Sequence, residues 1–421
     1  MAGALPIVCV FGVQNISLHS LKPILPGETA DLDCRCFLTD DNLMEVLGEH
    51  RPSVIVSFGE ESSFKSLLAA PWEMRKRWVN IPDTEDLTEA GAKTFACYLH
   101  NVLNKRADLP LVTVFTPAYK TGPKIMRPYN SLKNQTYPNW EWVIIDDSDD
   151  GGETFEMLSE MANQDPRIQL YREYRHTGNI GRLKHSACKL GRGDYLVELD
   201  HDDELTPEAL GLVVAAYQKH PEVGFVYTDF AECFEDGAPV TYGLNRQYEP
   251  PFSDWGYGYG SYRDEEYAGM TYAVVNAPNI NAKTIRHIVA APNHIRSWRA
   301  TTYAEIGGHG DSVHVADDYE LMVRTFLGTR MCRVPHMCYV QYRNYDTGNT
   351  HQSRNPEIQR LVRYFSTFYD KRIHERFLEL GVDDFVWQEG KVSFREMGMI
   401  KNTPTESHCT ILFESEARSV K

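Results

Sequence analysis

The stretch GDYLVELDHDD, residues 193–203, decides the fold prediction. Its first half is a short apolar run and predicts a buried strand over 194–199. Its second half places Asp200, Asp202 and Asp203 directly after that strand. Carboxylates this close raise each other's pKa unless a cation is present, and their oxygens suit Mg²⁺ or Mn²⁺. A solvated acidic turn before the next helix is the alternative interpretation of this cluster taken alone.

Strands alternate with helices on both sides of this stretch. We predict further strands at 111–115, 142–145, 168–171 and 223–228, and helices from 123, near 153–163, after 178–181, and at 207–219, 317–327 and 355–380. This alternation predicts a mostly parallel sheet with helices on both faces. Ligands bind such sheets at the carboxyl ends of the strands. Tyr119, Asp147 and Asp200 all follow predicted strand ends, so we expect them to line one site.

The remaining sequence predicts two flanking units. Residues 1–108 form a small α/β accessory domain, residues 109–385 form the main domain, and residues 386–421 form a C-terminal extension. In the first unit we predict strands at 6–11 and 53–58 and helices at 43–47 and 89–103; in the last, two short strands within 392–413. Residues 245–270, rich in Gly, Tyr and Trp, predict a long loop that closes over the site or stacks on sugar rings. The helix over 355–380 carries Leu361, Tyr364, Phe365 and Phe368 on one stripe.

Composition excludes several classes of protein. The chain has 421 residues, with 59 acidic against 43 basic side chains and a net charge of -16, which disfavours binding to nucleic acid. No apolar run reaches the roughly 18 residues of a membrane helix. The amino terminus has no basic segment and predicts a first strand rather than a signal peptide. The nine cysteines are scattered and indicate reduced thiols in a cytoplasm. Attachment to a membrane surface and a homo-oligomer remain open.

Three further segments carry candidate chemistry. Asp147 ends the predicted strand at 142–145, and its carboxylate can accept the N3–H of a uracil ring; an Asx turn is the alternative. Residues 178–181 open a helix whose amino end favours phosphate, with Lys184 nearby; a solvated first turn is the alternative. Asp318 begins the helix at 317–327, where a helix N-cap is the alternative.

Taken in order, these segments resemble family 2 glycosyltransferases. The matching motifs are TPAY (116–119), QTY (135–137), VIIDDS (143–148), GNIG (178–181), GDY (193–195), DHDD (200–203), WR (298–299), GGH (307–309), DDYEL (317–321), YR (342–343) and GNTH (348–351). The resemblance implies a GT-A fold, inversion at the sugar, and dependence on Mn²⁺ or Mg²⁺. The donor it implies is a nucleotide sugar, with uridine the favoured base and thymidine or guanosine the alternatives. The acceptor it implies is a glycan, a lipid-linked molecule or a small molecule.

The resemblance also implies residue roles, position by position. The general base is Asp318, which takes the proton of the attacking acceptor hydroxyl. Nucleotide contacts fall to Thr116, Pro117, Tyr119, Asp147, Lys184, Asp200 and His201. Metal ligands are Asp202 and His351, and diphosphate contacts are Arg343 and Arg354. Acceptor contacts are Trp298, Asp317 and, from the predicted loop, Trp255. Two positions depart from the family, since Lys184 stands where arginine is common and Asp317 where glutamate is common.

Three other functions compete with this one. A nucleotidyltransferase would have a triphosphate loop rich in glycine and lysine after the first strand, and residues 116–122 hold one of each. A processive polysaccharide synthase would carry membrane helices and a Q-x-x-R-W motif, which the catalytic half lacks. A non-catalytic subunit that binds nucleotide sugars would have no need of both Asp202 and Asp318.

Overall fold

The computed structural model describes residues 7–12, 33–50, 52, 54–70, 78–81, 110–165, 167–173, 175–240, 261–277, 280–287, 292–312, 314–343, 354–387 and 410–413. Within these ranges the chain forms two separate sheets. The predicted domain boundaries at 108 and 385 stay predictions, since the structure describes none of residues 82–109 or 388–409.

The first sheet is small and fully parallel, in the order β2-β1-β3-β4. Its strands are β1 (Ile7–Phe11), β2 (Asp33–Phe37), β3 (Val54–Phe58) and β4 (Trp78–Ile81), and its helices are α1 (Leu43–His50) and α2 (Lys65–Leu68), the latter after a 3-10 turn at Glu61–Ser63. The strands predicted at 6–11 and 53–58 and the helix from 43 are confirmed. The helix predicted at 89–103 lies outside the described residues.

The second sheet has eleven strands and carries the candidate site. Its strands are β5 (Val112–Ala118), β6 (Trp140–Asp146), β7 (Ile168–Arg172), β8 (Tyr195–Glu198), β9 (Glu204–Leu205), β10 (Val223–Phe234), β11 (Ser261–Tyr267), β12 (Met270–Asn276), β13 (Arg296–Arg299), β14 (Arg330–Arg343) and β15 (Thr410–Leu412). The main path runs β11-β12-β10-β13-β8-β5-β6-β7, and β14 pairs with β10, β15 and β9. The α/β fold class and the predicted alternation are therefore confirmed.

Helices follow most of these strands. They are α3 (Met126–Lys133, after a 3-10 turn at Gly122–Ile125), α4 (Glu153–Gln164), α5 (Ile180–Leu190), α6 (Ala209–Lys219), α7 (Thr284–His287), α8 (Ala300–Glu305), α9 (Asp317–Gly328) and α10 (Asn355–Leu380). Their apolar faces cover the sheet, where Trp142 and Trp298 are among the largest fully buried side chains. Burial of one such side chain contributes roughly 1.5–3 kcal/mol. Among the described helices, none is both long and apolar enough to cross a lipid bilayer.

Strand direction positions the candidate site. Strands β7, β6, β5 and β8 are parallel, so their carboxyl ends, including Asp146 and Glu198, lie at one edge of the sheet. Strand β13 runs antiparallel to β8, with Ser297 opposite Val197. Its first residue, Arg296, therefore starts at the edge where β8 ends.

The loop predicted over 245–270 is wrong for its last ten residues, which form β11 and the start of β12. The hydropathy pattern did not indicate β11 because the strand carries charged side chains. Two of them, Arg263 and Glu265, form an ion pair along it. Arg263 also reaches the buried carboxylate of Asp229. Trp255 and residues 241–260 lie outside the described residues.

A buried network of ion pairs joins α7, α10 and the segment that follows α10. The guanidinium of Arg286, in α7, donates to Asp370 of α10 at 2.7 Å and to both carboxylate oxygens of Asp384, at 3.0 and 2.9 Å. His374 also contacts Asp384, at 3.0 Å, and its ring stacks on Trp387. Residues 381–387 are thereby fixed against α7 and α10.

Candidate functional site

The acidic cluster lies between β8 and β9, at the carboxyl edge of the sheet. Because β9 pairs with β14, the cluster is brought beside Tyr339. The hydroxyl of Tyr339 donates to Asp203 at 2.8 Å and accepts from the backbone N–H of Asp200 at 3.1 Å. Asp203 also accepts from the N–H of Tyr342 at 2.7 Å. Burial raises the pKa of the Asp203 carboxyl, and the carboxylates of Asp202 and Asp200 raise it further, which makes this corner receptive to a cation.

His294 completes a candidate ligand set that the sequence did not reveal. Its Nε2 lies 3.6 Å from an oxygen of Asp200, and its ring stacks on Tyr339 at 4.5 Å between centroids. One ligand atom each from Asp200, Asp203 and His294 lie within 4.8 Å of one another. Burial lowers the pKa of His294 to about 4, so the imidazole is neutral at pH 7, as metal ligation requires. Its buried Nδ1 has no hydrogen-bond partner within the described chain.

The two predicted metal ligands, Asp202 and His351, are not members of this ligand set. The described ligand set contains Asp200, which was predicted to contact the ribose or the metal, and Asp203, which was predicted to belong to the acidic cluster but was not assigned as a ligand. Asp202 stands outside that set, with its backbone carbonyl accepting from Arg127, and its role as a ligand stays a prediction. His351 lies outside the described residues.

Asp318 is joined to the acidic cluster by a chain of charges. Arg296 contacts an oxygen of Asp318 at 3.0 Å and an oxygen of Glu198 at 3.1 Å. Glu198 is fully buried and also pairs with Lys184. Burial alone would raise the pKa of Glu198, but Arg296 and Lys184 outweigh it and hold that pKa well below its usual range. The predicted base is therefore anchored to the strand that carries the acidic cluster, and its side chain stays 28% exposed.

Asp317, its neighbour, faces inward. Burial raises its pKa to about 6, against the opposing charge of Lys184. The amino end of α5 packs close to it, since a Cβ added to Gly181 would lie 3.1 Å from the Cβ of Asp317 and 2.4 Å from the carbonyl oxygen of Gly310. Ala316, just before both aspartates, has a left-handed backbone with φ of 60°. The turn thus directs Asp317 into the protein and Asp318 toward the site.

The predicted nucleobase contacts lie at the ends of β5 and β6. Asp147 is nearly buried, and its carboxylate accepts from the backbone N–H groups of Thr177 and Gly178, at 2.8 and 3.1 Å. His176 lies 3.0 Å from the same carboxylate and stacks against Tyr119, with ring centroids 4.8 Å apart. Tyr119 is 41% exposed, so one part of its ring is open to a ligand. Asp147 therefore fixes the loop that supports this ring.

A cleft of about 610 Å³ opens beside this loop. Its charged and titratable lining comprises Arg175, Arg182, His176, His314, Glu173 and Asp311, and Arg182 lies 3.5 Å from Glu173. The helix N-cap Asn179 lies in the same cleft and accepts from the N–H of Arg182 at 3.0 Å. The amino end of a helix favours an anionic ligand.

The other predicted site residues lie in supporting positions. Thr116 is buried and donates to the carbonyl of Leu199 at 2.6 Å, next to Pro117 in β5. The carbonyl of His201 accepts from Thr121 at 3.1 Å. Lys184, predicted to contact nucleotide, is buried under the site against Glu198.

Three residues predicted to contact the acceptor or the diphosphate have other partners in this structure, and their predicted roles stay predictions. The ring of Trp298 is fully buried and its Nε1 donates to Thr325 at 3.1 Å, so in this structure it packs under the site and does not reach an acceptor. Arg343 pairs with Glu232 at 2.6 Å and Arg354 with Glu357 at 2.7 Å.

Parts of this chain are similar to known proteins. Residues 113–270 match the family model described as glycosyl transferase family 2. An uncharacterized protein, y4gI, of Sinorhizobium fredii is 28% identical over 246 residues, which are 58% of this chain and 23% of that protein. The O-antigen biosynthesis protein RfbC of Myxococcus xanthus is 26% identical over 218 residues, 51% of this chain and 14% of that protein. The chain thus spans less than a quarter of the length of these curated relatives.

Among solved structures, S. aureus TarS 1-349 in complex with UDP-GlcNAc aligns with a TM-score of 0.44 and 17% identity, over 68% of this chain and 77% of that one. The family match begins in β5 and runs through the acidic cluster to the start of β12. Residues 113–270 of this chain are a family 2 glycosyl transferase domain.

Proposed function

We propose that the chain transfers a sugar from a nucleoside diphosphate sugar to an acceptor hydroxyl, with inversion at the anomeric carbon and Asp318 as general base. One observation carries the proposal. The segment 294–296 contacts the acidic cluster with His294, at 3.6 Å from Asp200, and contacts Asp318 with Arg296, at 3.0 Å. The acidic corner that would bind the metal and the carboxylate that would take the proton therefore lie on either side of one short segment.

The base side of the site is suited to proton transfer. Arg296 holds one oxygen of Asp318, and the N–H of Tyr319 donates to the other at 2.7 Å. These bonds orient the carboxylate, and its partial exposure leaves room for an acceptor hydroxyl. A positioned carboxylate that removes the hydroxyl proton as attack proceeds contributes roughly 10²–10⁴-fold to the rate.

The acidic corner fits a divalent cation. Two carboxylates and one neutral imidazole are a donor set that Mn²⁺ accepts, and Mg²⁺ accepts the carboxylates. When bound there, the ion would offset the charge that grows on the departing diphosphate. Asp200, Asp203 and His294 would hold it, with Tyr339 fixing the first two of these residues by its hydroxyl and the third by its ring.

For the donor we propose a uridine diphosphate sugar. The partly exposed ring of Tyr119, held against His176, offers a face for the base. The cleft beside it brings Arg175 and the amino end of α5 close to this ring, and a helix amino end favours an anion. Neither feature separates uridine from thymidine or guanosine, so the donor screen below includes all three.

The test is a donor-hydrolysis screen over UDP-, dTDP- and GDP-sugars, with Mn²⁺ and with EDTA. We expect that only one of the three classes of donor releases its nucleoside diphosphate, and that it does so with Mn²⁺ and not with EDTA. Turnover that survives complete metal removal overturns the metal assignment. Release of pyrophosphate from a nucleoside triphosphate would instead identify a nucleotidyltransferase.

Asp318→Asn separates an enzyme from a non-catalytic subunit. We expect the transfer rate to fall by roughly 10²–10⁴-fold while donor binding, measured by calorimetry, is retained. The exposed Asp383→Asn serves as the matched control and leaves both unchanged. Unaltered turnover in Asp318→Asn rules out this residue as the base.

A further inference from the structure

The outward face of α10 is the feature that the proposed function does not use. The core-facing side of this helix is made of Ile358, Val362, Tyr369, Ile373 and Phe377. Two aromatic side chains point the other way, since Tyr364 is 61% exposed and Phe368 is 65% exposed. Their rings stack on each other, with centroids 6.3 Å apart and planes 15° apart. The aromatic stripe expected from the sequence thus lies partly on the surface.

Cations surround this aromatic pair. Arg360, Tyr364, Phe368 and Arg372 are spaced four residues apart and follow one line along the helix. Arg363 and Lys371 flank the line and are also exposed. Within the part of the chain that the structure describes, no carboxylate pairs with Arg360, Arg363 or Arg372, and Lys371 lies 3.7 Å from Glu375 at the far end. We call these six residues (Arg360, Arg363, Tyr364, Phe368, Lys371 and Arg372) the basic-aromatic face.

We infer that the basic-aromatic face docks onto an anionic lipid surface. Aromatic rings settle at the boundary between headgroups and acyl chains, and arginine and lysine attract anionic headgroups. The basic-aromatic face carries positive charge although the net charge of the chain is -16. Its local charge is therefore complementary to an anionic lipid surface.

A second copy of the chain fits this face less well. If two copies met face to face, the cations of one would oppose those of the other. Two exposed rings also bury far less than the roughly 800 Å² per partner of a stable protein interface. Surface docking needs only a few inserted rings with charges around them.

The position of α10 connects docking with the proposed reaction. The hydroxyl of Tyr369, on the inner side of α10, donates to Glu320 of α9 at 2.8 Å. Helix α9 begins at Asp317 and Asp318. Docking would therefore hold the proposed base one helix away from the lipid surface, which suits a lipid-linked acceptor. This last step rests on the proposed function, whereas docking itself does not.

The test is co-sedimentation of the full chain with vesicles, which requires no activity. Vesicles of phosphatidylcholine alone are compared with vesicles of phosphatidylcholine and phosphatidylglycerol in equal parts. We expect binding to the second kind only, weakened by high salt. Neutralising Arg360, Arg363 and Arg372 together to Gln should weaken binding on the order of a hundredfold, at roughly fivefold for each cation. Tyr364→Ser with Phe368→Ser should weaken it roughly tenfold or more.

The matched control is Leu378→Ser, because Leu378 is 63% exposed on the same helix but beyond the face. It should bind as the unaltered chain does. Failure of the unaltered chain to bind anionic vesicles overturns the proposal, as does binding that both sets of substitutions leave intact. A concentration-dependent dimer that Tyr364→Ser with Phe368→Ser abolishes, seen by sedimentation velocity without vesicle binding, assigns the face to a second copy instead. A chain that docks but shows no transfer would refute only the proposed function.

Discussion

The two halves of the candidate site use their carboxylates in opposite ways. On the side proposed for the nucleobase, Asp147 is almost fully buried, and its carboxylate accepts from the backbone N–H groups of Thr177 and Gly178. On the transfer side, Asp318 is held by Arg296 yet stays partly exposed. Each residue is the second aspartate of an Asp-Asp pair, in VIIDDS (143–148) and in DDYEL (317–321). A motif therefore locates a carboxylate, while its hydrogen bonds decide whether it supports a loop or is open to substrate.

The largest effect should come from breaking the anchor on the transfer side. In Arg296→Met, Asp318 loses its orienting partner, and we expect kcat to fall on the order of a hundredfold with little change in KM for the donor. Arg296→Lys should restore part of the rate. Because a buried ion pair is broken, unfolding should also be easier by roughly 3–5 kcal/mol, so folding is checked by circular dichroism at the assay temperature.

Arg299→Met is the matched control for this substitution. Arg299 ends the same strand, and its guanidinium lies over Tyr195 and Tyr217, away from the site. The Arg299→Met variant should have the same kcat as the unaltered chain. A kcat in Arg296→Met equal to that of Arg299→Met would contradict the anchoring role.

A smaller effect on the transfer side should follow from His294→Gln. Removing one of the three proposed ligands should weaken Mn²⁺ binding by at least the roughly 10–100-fold that the loss of an outer-shell partner costs, as seen by electron paramagnetic resonance titration. His287→Gln is the control, since His287 is also a buried histidine, with a pKa lowered to about 4 by burial, but lies in α7. Equal Mn²⁺ affinity in the two variants would remove His294 from the ligand set.

On the nucleobase side, Asp147→Ala should act through the loop. The N–H groups of Thr177 and Gly178 lose their acceptor, and because Thr177 is half-buried and Gly178 exposed, water can replace it, so the cost should be roughly 0.5–1.5 kcal/mol for each bond. We expect a lower midpoint of thermal unfolding and a several-fold higher KM for the donor, with kcat nearly kept. Asp149→Ala, which breaks an exposed pair with Lys120, should leave the midpoint of thermal unfolding nearly unchanged. A loss confined to kcat would mean that Asp147 takes part in the transfer itself.

The smallest effect concerns Asp317 and appears only as a pH dependence. Its pKa is about 6 in the folded chain and roughly 3.9 when unfolded, so the folded state binds the proton more tightly. Its contribution to stability is therefore fully present below about pH 4 and is lost as the pH rises from about 4 to about 6. Asp317→Asn removes this loss, so its melting temperature relative to the unaltered chain should rise between pH 4 and pH 6 and stay level above pH 6. A difference that does not vary with pH would contradict the raised pKa.

The sequence predicted the fold well where apolar runs were uninterrupted. Strands β5, β6 and β8 are nearly continuous in apolar residues and were located to within a few positions. Strand β11 was missed, because its charged side chains pair with one another and with the buried Asp229. Long-range pairing, which a hydropathy pattern does not contain, placed it in the sheet.

The site was predicted only in part, for a similar reason. Asp200 and Asp318 stand in recognisable motifs, but His294 is a single histidine that becomes part of the site through the antiparallel pairing of β13 with β8. Glu198 did leave a signal, as a charge inside the apolar run YLVEL. A buried carboxylate such as that of Glu198 needs a cationic partner. The sequence therefore indicated that a partner exists, but it did not identify the residue.

The network around Arg286 sets how far the chain can be shortened. The family match ends at residue 270, yet Arg286 has its bidentate partner at Asp384. Removing the residues after 380 would leave a buried guanidinium with Asp370 as its sole remaining carboxylate among those described. The smallest unit that folds should therefore extend to residue 387, well beyond the segment that defines its family.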